Sequence, residues 1–198
     1  MGFIGTISVN RLGGLSLVFG PVFTLIFFFL QPGGTFVDRA DPADVASTIN
    51  AMVSNPGLGQ LTGILIPIGL LIFLYGIFVV QGNIKSSGNG DAVSRYGVLF
   101  ILIGVIGWVV GSGMSLAISG SDLPADQAVS LFGSLYSAFL GVGTVSGILS
   151  GIGFLALSLA IFSRDDYNKI AALIAAVAAI VVVVVTIIGG IDRSQLEV

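Results

Sequence analysis

The stretch Gly57–Phe78, GLGQLTGILIPIGLLIFLYGIF, decides how this sequence is interpreted. It contains no charged residue, and the uncharged run continues to Gln81. As a helix it would extend about 33 Å, which is enough to cross a bilayer core of about 30 Å. Because hydrocarbon offers no hydrogen bonds to a free backbone, we expect one continuous helix here. Pro67 is expected to bend this helix.

Four other uncharged stretches are long enough to cross a bilayer. They span Leu12 to about Gln31, Tyr96 to about Ser119, part of Gln127–Ser163, and Ile170 to about Ile191. The whole chain is 55% hydrophobic and 9% charged, with a mean hydropathy of +1.09, whereas about 25% of the residues of a soluble domain are charged. We therefore predict an all-α integral membrane protein with five transmembrane helices in a single domain, residues 1–198.

An internal repeat connects the second span to the fourth. Gly57–Phe78 matches Gly141–Phe162 at an offset of 84 residues, with ten of 22 positions identical. Arg11-Leu12-Gly13 and Arg95-Tyr96-Gly97 fall at the same offset. We predict two parallel two-helix repeats, at about 11–82 and about 95–163, plus an extra helix at about 169–191. The expected fold is a four-helix bundle of two similar hairpins with one added helix.

Each repeat is expected to carry a short external amphipathic helix between its two spans. In the first repeat, Asp41 is the expected N-cap with Pro42 at the first helical position, and Val45, Ile49 and Met52 share one face. In the second repeat, Asp122–Asp126 leads into a similar pattern. Both helices are expected to lie along the outer interface, with a break near 141–143 before the fourth span.

The basic residues predict the orientation. Five of them fall on one side of the five spans: Arg11, Lys85, Arg95, Arg164 and Lys169. The other side holds Arg39 and Arg193. The excess of basic residues marks the cytoplasmic side, so we predict a multi-pass protein of the cell membrane with a cytoplasmic N-terminus and an external C-terminus.

Small residues at a spacing of four predict where the helices pack. Such faces let helices approach closely where no hydrophobic force drives association. They either pack the bundle internally, which is the favoured use, or dock another subunit. The predicted helix-packing residues are Gly107, Gly111, Gly143, Gly147, Gly151, Ala171, Ala175 and Ala179.

The sequence offers little chemistry for catalysis. It has no Cys and no His. Within the spans the ionisable side chains are tyrosines, Tyr75 and Tyr136, apart from Tyr96 at the first residue of the third span. Proton and ion pathways usually place acids or bases in the membrane, so we expect no catalytic, cofactor-binding or metal-binding residue in this chain, with lipids as its neighbours. The external aspartates are interpreted as helix caps rather than as a cation site. The net charge of −3 argues against nucleic acid, and no soluble substrate is indicated.

Three features together resemble a family of small multi-pass prokaryotic membrane proteins to which no activity is assigned. They are Arg11-Leu12-Gly13, Asp41-Pro42-Ala43-Asp44 and the Gly-rich span Gly57–Gly69. The resemblance covers about the first 120 residues and implies no catalytic residue.

Two functions remain open from the sequence. The favoured one is a non-catalytic accessory or structural subunit of a larger membrane complex, such as a respiratory or membrane-bound oxidising enzyme whose cofactors are held by other subunits. The alternative is a stand-alone carrier or channel for a neutral or apolar molecule. Its path would follow the seam between the repeats, lined by Thr62, Ser112, Ser115, Thr144, Ser146 and Ser150.

Overall fold

The computed structural model describes residues 7–88 and 90–191, and these ranges are helical throughout apart from their connections. The helices are α1 (Val9–Phe29), α2 (Val45–Ser54), α3 (Pro56–Ser87), α4 (Asp91–Ser119), α5 (Ala125–Phe162) and α6 (Lys169–Ile191). All except α2 are long and apolar enough to cross a membrane. The all-helical class and the five candidate spans are therefore confirmed. Asp192, Arg193 and Glu197, which bear on the side of the C-terminus, lie outside the described residues.

Short polar side chains fix where three helices begin. Ser8 accepts a hydrogen bond from the Arg11 amide (3.3 Å), and Asn168 accepts one from the Ile170 amide (3.0 Å). The N-cap of α2 is Asp44, which accepts from the Ser47 amide at 3.0 Å. The prediction that Asp41 caps this helix is thus wrong by three residues, because Asp41 instead accepts from the amide of Ala43, two residues further along the chain, at 2.8 Å.

The five long helices pack as a row and not as a closed bundle. The main contacts join α1 to α3, α3 to α4, α4 to α5 and α5 to α6. Phe73 of α3 also stacks on Phe154 of α5 with ring centroids 5.7 Å apart, but no main contact joins α1 to α5, so the expected four-helix bundle is not closed. The reason is that each inner helix carries close-approach residues on two sides: Gly69 and Gly76 of α3 meet α1, while Gly59 and Gly63 meet α4.

The two hairpins of the predicted repeat pair their helices in different registers. Gly13 of α1 packs against Val79 of α3. Its counterpart Gly97 of α4 packs against Gly153 and Leu157 of α5, which correspond to positions 69 and 73 of α3. The register therefore differs by about two helical turns, or roughly 11 Å along the helix. Whatever their origin, the two hairpins are not copies of one packed unit.

The second amphipathic segment is part of α5 and not a separate helix. The predicted break near 141–143 is absent, since α5 is continuous over 38 residues and so is about 57 Å long. A glycine inside a helix costs only about 1 kcal/mol relative to alanine, which neighbouring helices offset. The first segment, α2, packs on the N-terminal part of α5 and buries Ile49 and Met52 in one cluster with Ala128 and Tyr136. One face of α2 is therefore covered by α5, and its placement along the outer interface stays a prediction.

The two ends of the row differ in charge. We call the end with Asp38, Asp41, Asp44, Asp122 and Asp126 the acidic end, and the end with Arg11, Lys85, Arg95, Arg164 and Lys169 the basic end. The segment that joins α1 to α2 lies at the acidic end. It is held across the row by the Gln31 side-chain amide, which donates to the Ser115 hydroxyl of α4 at 3.0 Å.

Candidate functional site

A largely apolar pocket opens beside α5 in the half of the row next to the acidic end. Its cavity volume is about 430 Å³, within the range of small-molecule sites. Trp108 of α4, Tyr136–Gly147 of α5 and Val185–Gly190 of α6 form its walls. The α1–α2 segment closes it above through Gln31 and Gly33, together with Thr48 and Met52 of α2.

Glycines create the space in this pocket. Gly143, Gly147, Gly189 and Gly190 all line it. A Cβ atom at Gly143 would lie 3.7 Å from the Trp108 ring, so a larger residue at this position would extend its side chain into the cavity. Gly33 has a φ of +80°, a conformation that glycine adopts readily, and this turn folds the α1–α2 segment over α2.

The polar groups that face the pocket are uncharged. None of the residues that line it is an acid or a base. The Thr144 hydroxyl donates to the Leu140 carbonyl at 3.0 Å, as Thr24 does to Gly20 at 2.9 Å. Thr186, by contrast, makes no hydrogen bond to any described residue. A threonine in a helix usually donates its hydroxyl hydrogen to the carbonyl three or four residues earlier. The Thr186 hydroxyl makes no such bond and can therefore donate to a bound molecule.

The aspartates near the pocket mouth serve local structure. Asp41 and Asp44 accept backbone amides as described above, and Asp38 accepts from the Asn55 side chain. Within residues 7–88 and 90–191, no group of three or more acids is placed to hold a metal ion. The capping interpretation is confirmed for Asp44.

The predicted packing glycines all lie between helices or at the pocket. Gly107 and Gly111 of α4 face α5, where a Cβ would meet Ser146 and Phe139 respectively. Gly147 and Gly151 of α5 face α6, and Cβ atoms there would lie 3.0 Å from Thr186 and 2.5 Å from Val183. Gly143 faces Trp108 across the pocket.

The predicted alanine face of α6 needs a correction. Ala179 is buried against α5, but Ala171 and Ala175 are exposed. The observed face instead contains Ala172, Ala176, Ala179, Val183, Thr186 and Gly190. Successive residues of this face are alternately four and three positions apart. This spacing, close to 3.5 residues on average, keeps them on the side of α6 that contacts α5. A constant spacing of four drifts around the helix, so the predicted set could not stay on one neighbour.

Comparison with protein families, curated proteins and solved structures gives no match for this chain. No functional residue can therefore be transferred to it from a relative. The resemblance of Arg11-Leu12-Gly13 and the Gly57–Gly69 span to a prokaryotic membrane family stays a prediction.

The six hydroxyl residues predicted to line a seam do not share one cavity. Thr62, Ser112 and Ser115 are buried where α3 meets α4, and Ser146 and Ser150 lie where α5 meets α4. Thr144 alone of the six lines the pocket. The α3–α4 contact is close: a Cβ at Gly59 would lie 2.6 Å from the Ser119 Cβ. These residues therefore fill helix contacts and outline no passage.

At the basic end, a buried cation joins the α5–α6 connection to the end of α3. Arg164 is 7% exposed and donates to both carboxylate oxygens of Asp166, at 2.8 and 2.5 Å, and to the Ile84 carbonyl of α3 at 3.4 Å. Its guanidinium lies 5.7 Å from the centre of the Tyr167 ring. The hydrogen bonds from Arg164 lower the pKa of Asp166. The local sequence pattern does not indicate this contact, because α3 ends beside the α5–α6 connection only in the folded chain.

Proposed function

We propose that this chain is a non-catalytic accessory subunit of a larger complex in a cell membrane. The complex would be of the kind formed by respiratory or membrane-bound oxidising enzymes, with the cofactors held by other subunits. In this proposal the basic end faces the cytoplasm. The subunit docks through an exposed alanine face at the N-terminal half of α6, formed by Ala171, Ala175 and Ala178.

The outer surface of the row supports placement in lipid. Large apolar side chains are exposed along the edge helices, for example Val18 and Phe19 of α1 and Ile174 and Val177 of α6. A soluble monomer rarely exposes apolar patches of more than a few hundred Å². Hydrocarbon chains accept such a surface without cost, and the charged side chains are concentrated at the two ends.

The exposed alanine face is the observation that carries the docking proposal. Ala171, Ala175 and Ala178 follow a spacing of four and three, so they share one side of α6, about 100° around the helix from the residues that contact α5 and bordered by the exposed Ile174. The exposed side of the other edge helix, α1, has large side chains such as Leu15 and Val18. Lipid needs no small residues, whereas a second helix that approaches to about 8 Å does. The alanine face therefore fits a protein neighbour better than lipid.

The lack of reactive groups supports a role without catalysis. The sequence has no His or Cys, and among the described residues the buried charged side chain is Arg164, which is paired with Asp166 at the basic end. Membrane proteins that move protons or ions usually hold charged groups at depth. Any redox or transfer chemistry in the complex would then belong to partner subunits.

The test is purification from native membranes in mild detergent, followed by native mass spectrometry. We expect a complex of fixed stoichiometry that contains this 20.2 kDa chain and different partner chains. Ala175→Leu adds bulk on the exposed alanine face and should release the partners while the purified subunit still folds. The matched control, Val18→Leu on the exposed side of α1, should leave the complex intact.

Two results would contradict the proposal. One is a chain that purifies alone, or only with a second copy of itself. The other is a complex that survives Ala175→Leu unchanged. Ala176→Leu serves as a separate reference, because it acts on the buried α5–α6 contact and should lower the thermal stability of the subunit itself.

A further inference from the structure

We infer that the pocket beside α5 binds one uncharged lipid that has a single long hydrocarbon chain and a carbonyl or hydroxyl head. The chain would lie along α5 against Trp108, and the polar head would meet Thr186 and Gln31. This inference rests on the proposed membrane placement but not on any partner subunit, since the pocket and the exposed alanine face occupy different parts of α6.

The dimensions of the pocket fit one lipid chain. Its wall on α5 extends from Tyr136 to Gly147, which is about 16 Å along a helix. One leaflet of a bilayer with a core of about 30 Å has nearly this thickness. The pocket also begins at the acidic end and reaches inward to Trp108 near the middle of α4, so it is as deep as one leaflet. A volume of about 430 Å³ holds a single chain more readily than the two chains of a phospholipid.

The free polar groups fit a carbonyl or hydroxyl head. Thr186 has a hydroxyl that bonds to no described residue, on a wall that is otherwise apolar. The side-chain NH₂ of Gln31 donates to Ser115, and no described residue donates to the side-chain carbonyl oxygen of Gln31. The pocket therefore presents the free Thr186 hydroxyl and the free side-chain carbonyl oxygen of Gln31, both on half-buried residues. A carbonyl or hydroxyl head group would give these groups hydrogen-bond partners.

The charges around the pocket disfavour a lipid with an anionic head group. The lining has no basic residue that could pair with a carboxylate or phosphate. Near the mouth, Asp41 directly precedes the lining residue Pro42, and Asp38 and Asp44 lie in the same segment, opposed by Arg39. An anion would lose hydration and meet negative charge. A fatty acid in its ionised form should therefore bind more weakly than an uncharged ester with the same chain.

The single tryptophan of the chain provides the experiment. Bromine quenches indole fluorescence at contact, so purified protein in detergent is titrated with a monoacylglycerol whose acyl chain is dibrominated. We expect quenching of Trp108 that saturates near one equivalent. The dibrominated fatty acid of the same chain length, ionised at pH 9, should require at least a tenfold higher concentration.

Three variants locate the ligand. Gly143→Val should abolish the saturable quenching, because its methyl groups occupy the space beside Trp108. Thr186→Val should raise the Kd about two- to tenfold, as expected for one neutral hydrogen bond. Thr144→Val is the matched control: it lines the same pocket, but its hydroxyl already donates to the helix backbone, so the Kd should not change.

The inference is overturned if quenching rises in proportion to the brominated lipid in the micelle without saturation. Equal Kd values for the ester and the ionised acid would overturn it as well, as would equal effects of Thr186→Val and Thr144→Val. Should Gly143→Val fail to fold, the two threonine variants still decide the question. A protein that stays monomeric without any amphiphile would refute the membrane placement separately.

Discussion

Replacing Gly153 with alanine places a methyl group where the backbones of α4 and α5 approach each other closely. The added Cβ would lie 2.6 Å from the Gly97 carbonyl oxygen and 2.7 Å from the Ile101 amide nitrogen. Ordinary contact begins at 3.4 Å, so the helices must separate by about 0.8 Å at this point. Both obstacles are backbone atoms, which cannot move aside by a rotamer change as a side chain can.

Gly141→Ala is the matched control for this substitution. Gly141 lies in the same helix and is exposed, and a Cβ there meets no atom within 4 Å. Both variants gain the same helix propensity, about 1 kcal/mol. The difference between them therefore isolates the steric cost, which for an overpacked contact is about 1–3 kcal/mol.

The assay is reversible unfolding in mixed detergent micelles, followed by circular dichroism. Gly141→Ala should have a free energy of unfolding equal to or above that of the wild type, and Gly153→Ala should lie about 1–3 kcal/mol below Gly141→Ala. Equal stabilities of the two variants would refute the close approach of α4 and α5 at Gly97 and Gly153.

Two further predictions concern the ends of the row. Because Arg164 lowers the pKa of Asp166, the ion pair should stabilise the fold fully above the ordinary aspartate pKa of about 3.9 and lose this effect as the pH falls through the lowered folded-state value. Unfolding measured between pH 7 and pH 3 should thus show a free-energy advantage of the wild type over Asp166→Asn that decreases toward pH 3. An advantage independent of pH would exclude the pair. The orientation is tested with single cysteines, since the chain has none of its own: in intact cells a membrane-impermeant maleimide should label Asp122→Cys and leave Asp165→Cys unlabelled, and the reverse pattern would invert the proposed topology.

The row arrangement has a consequence for stability. Each edge helix contacts one long neighbour, α3 for α1 and α5 for α6, and only 17% of each apolar window is buried, compared with 33–39% for the three inner helices. In lipid, helices associate through close packing and not through hydrophobic burial. The alternating seam of Ala172, Ala176 and Ala179 therefore carries much of the attachment of α6.

Several features could be predicted because they depend on short stretches of sequence. The uncharged run Gly57–Gln81 is sufficient to predict a long apolar helix, and the same holds for the other four spans. Asn168 and Ser8 cap helices as their residue types favour. The α2 cap was misplaced by three residues because Asp41 and Asp44 are equally good caps, and the choice between them depends on how the segment folds over the pocket.

Other features were missed because they join residues that are distant in sequence. Arg164 reaches the end of α3, 80 residues away, and Gln31 reaches α4 across 84 residues. No local pattern indicates these pairs. The pocket was missed for the same reason, since its walls come from α4, α5, α6 and the α1–α2 segment, and each of these alone looks like ordinary apolar helix or loop.

The sequence by itself determined the class of secondary structure, the number of long apolar helices and the positions of the small residues, since each of these follows from the chemistry of a few neighbouring side chains. Only the tertiary structure decided which neighbour each small residue meets, that the helices form a row, and that Thr186 faces a cavity with its hydroxyl free. These depend on the registers between helices, and a register is set by the steric fit of whole helix surfaces. Gly13 and Gly97 show the difference. They occupy equivalent places in the same local sequence pattern, but the sites that they contact on their partner helices differ by about two helical turns.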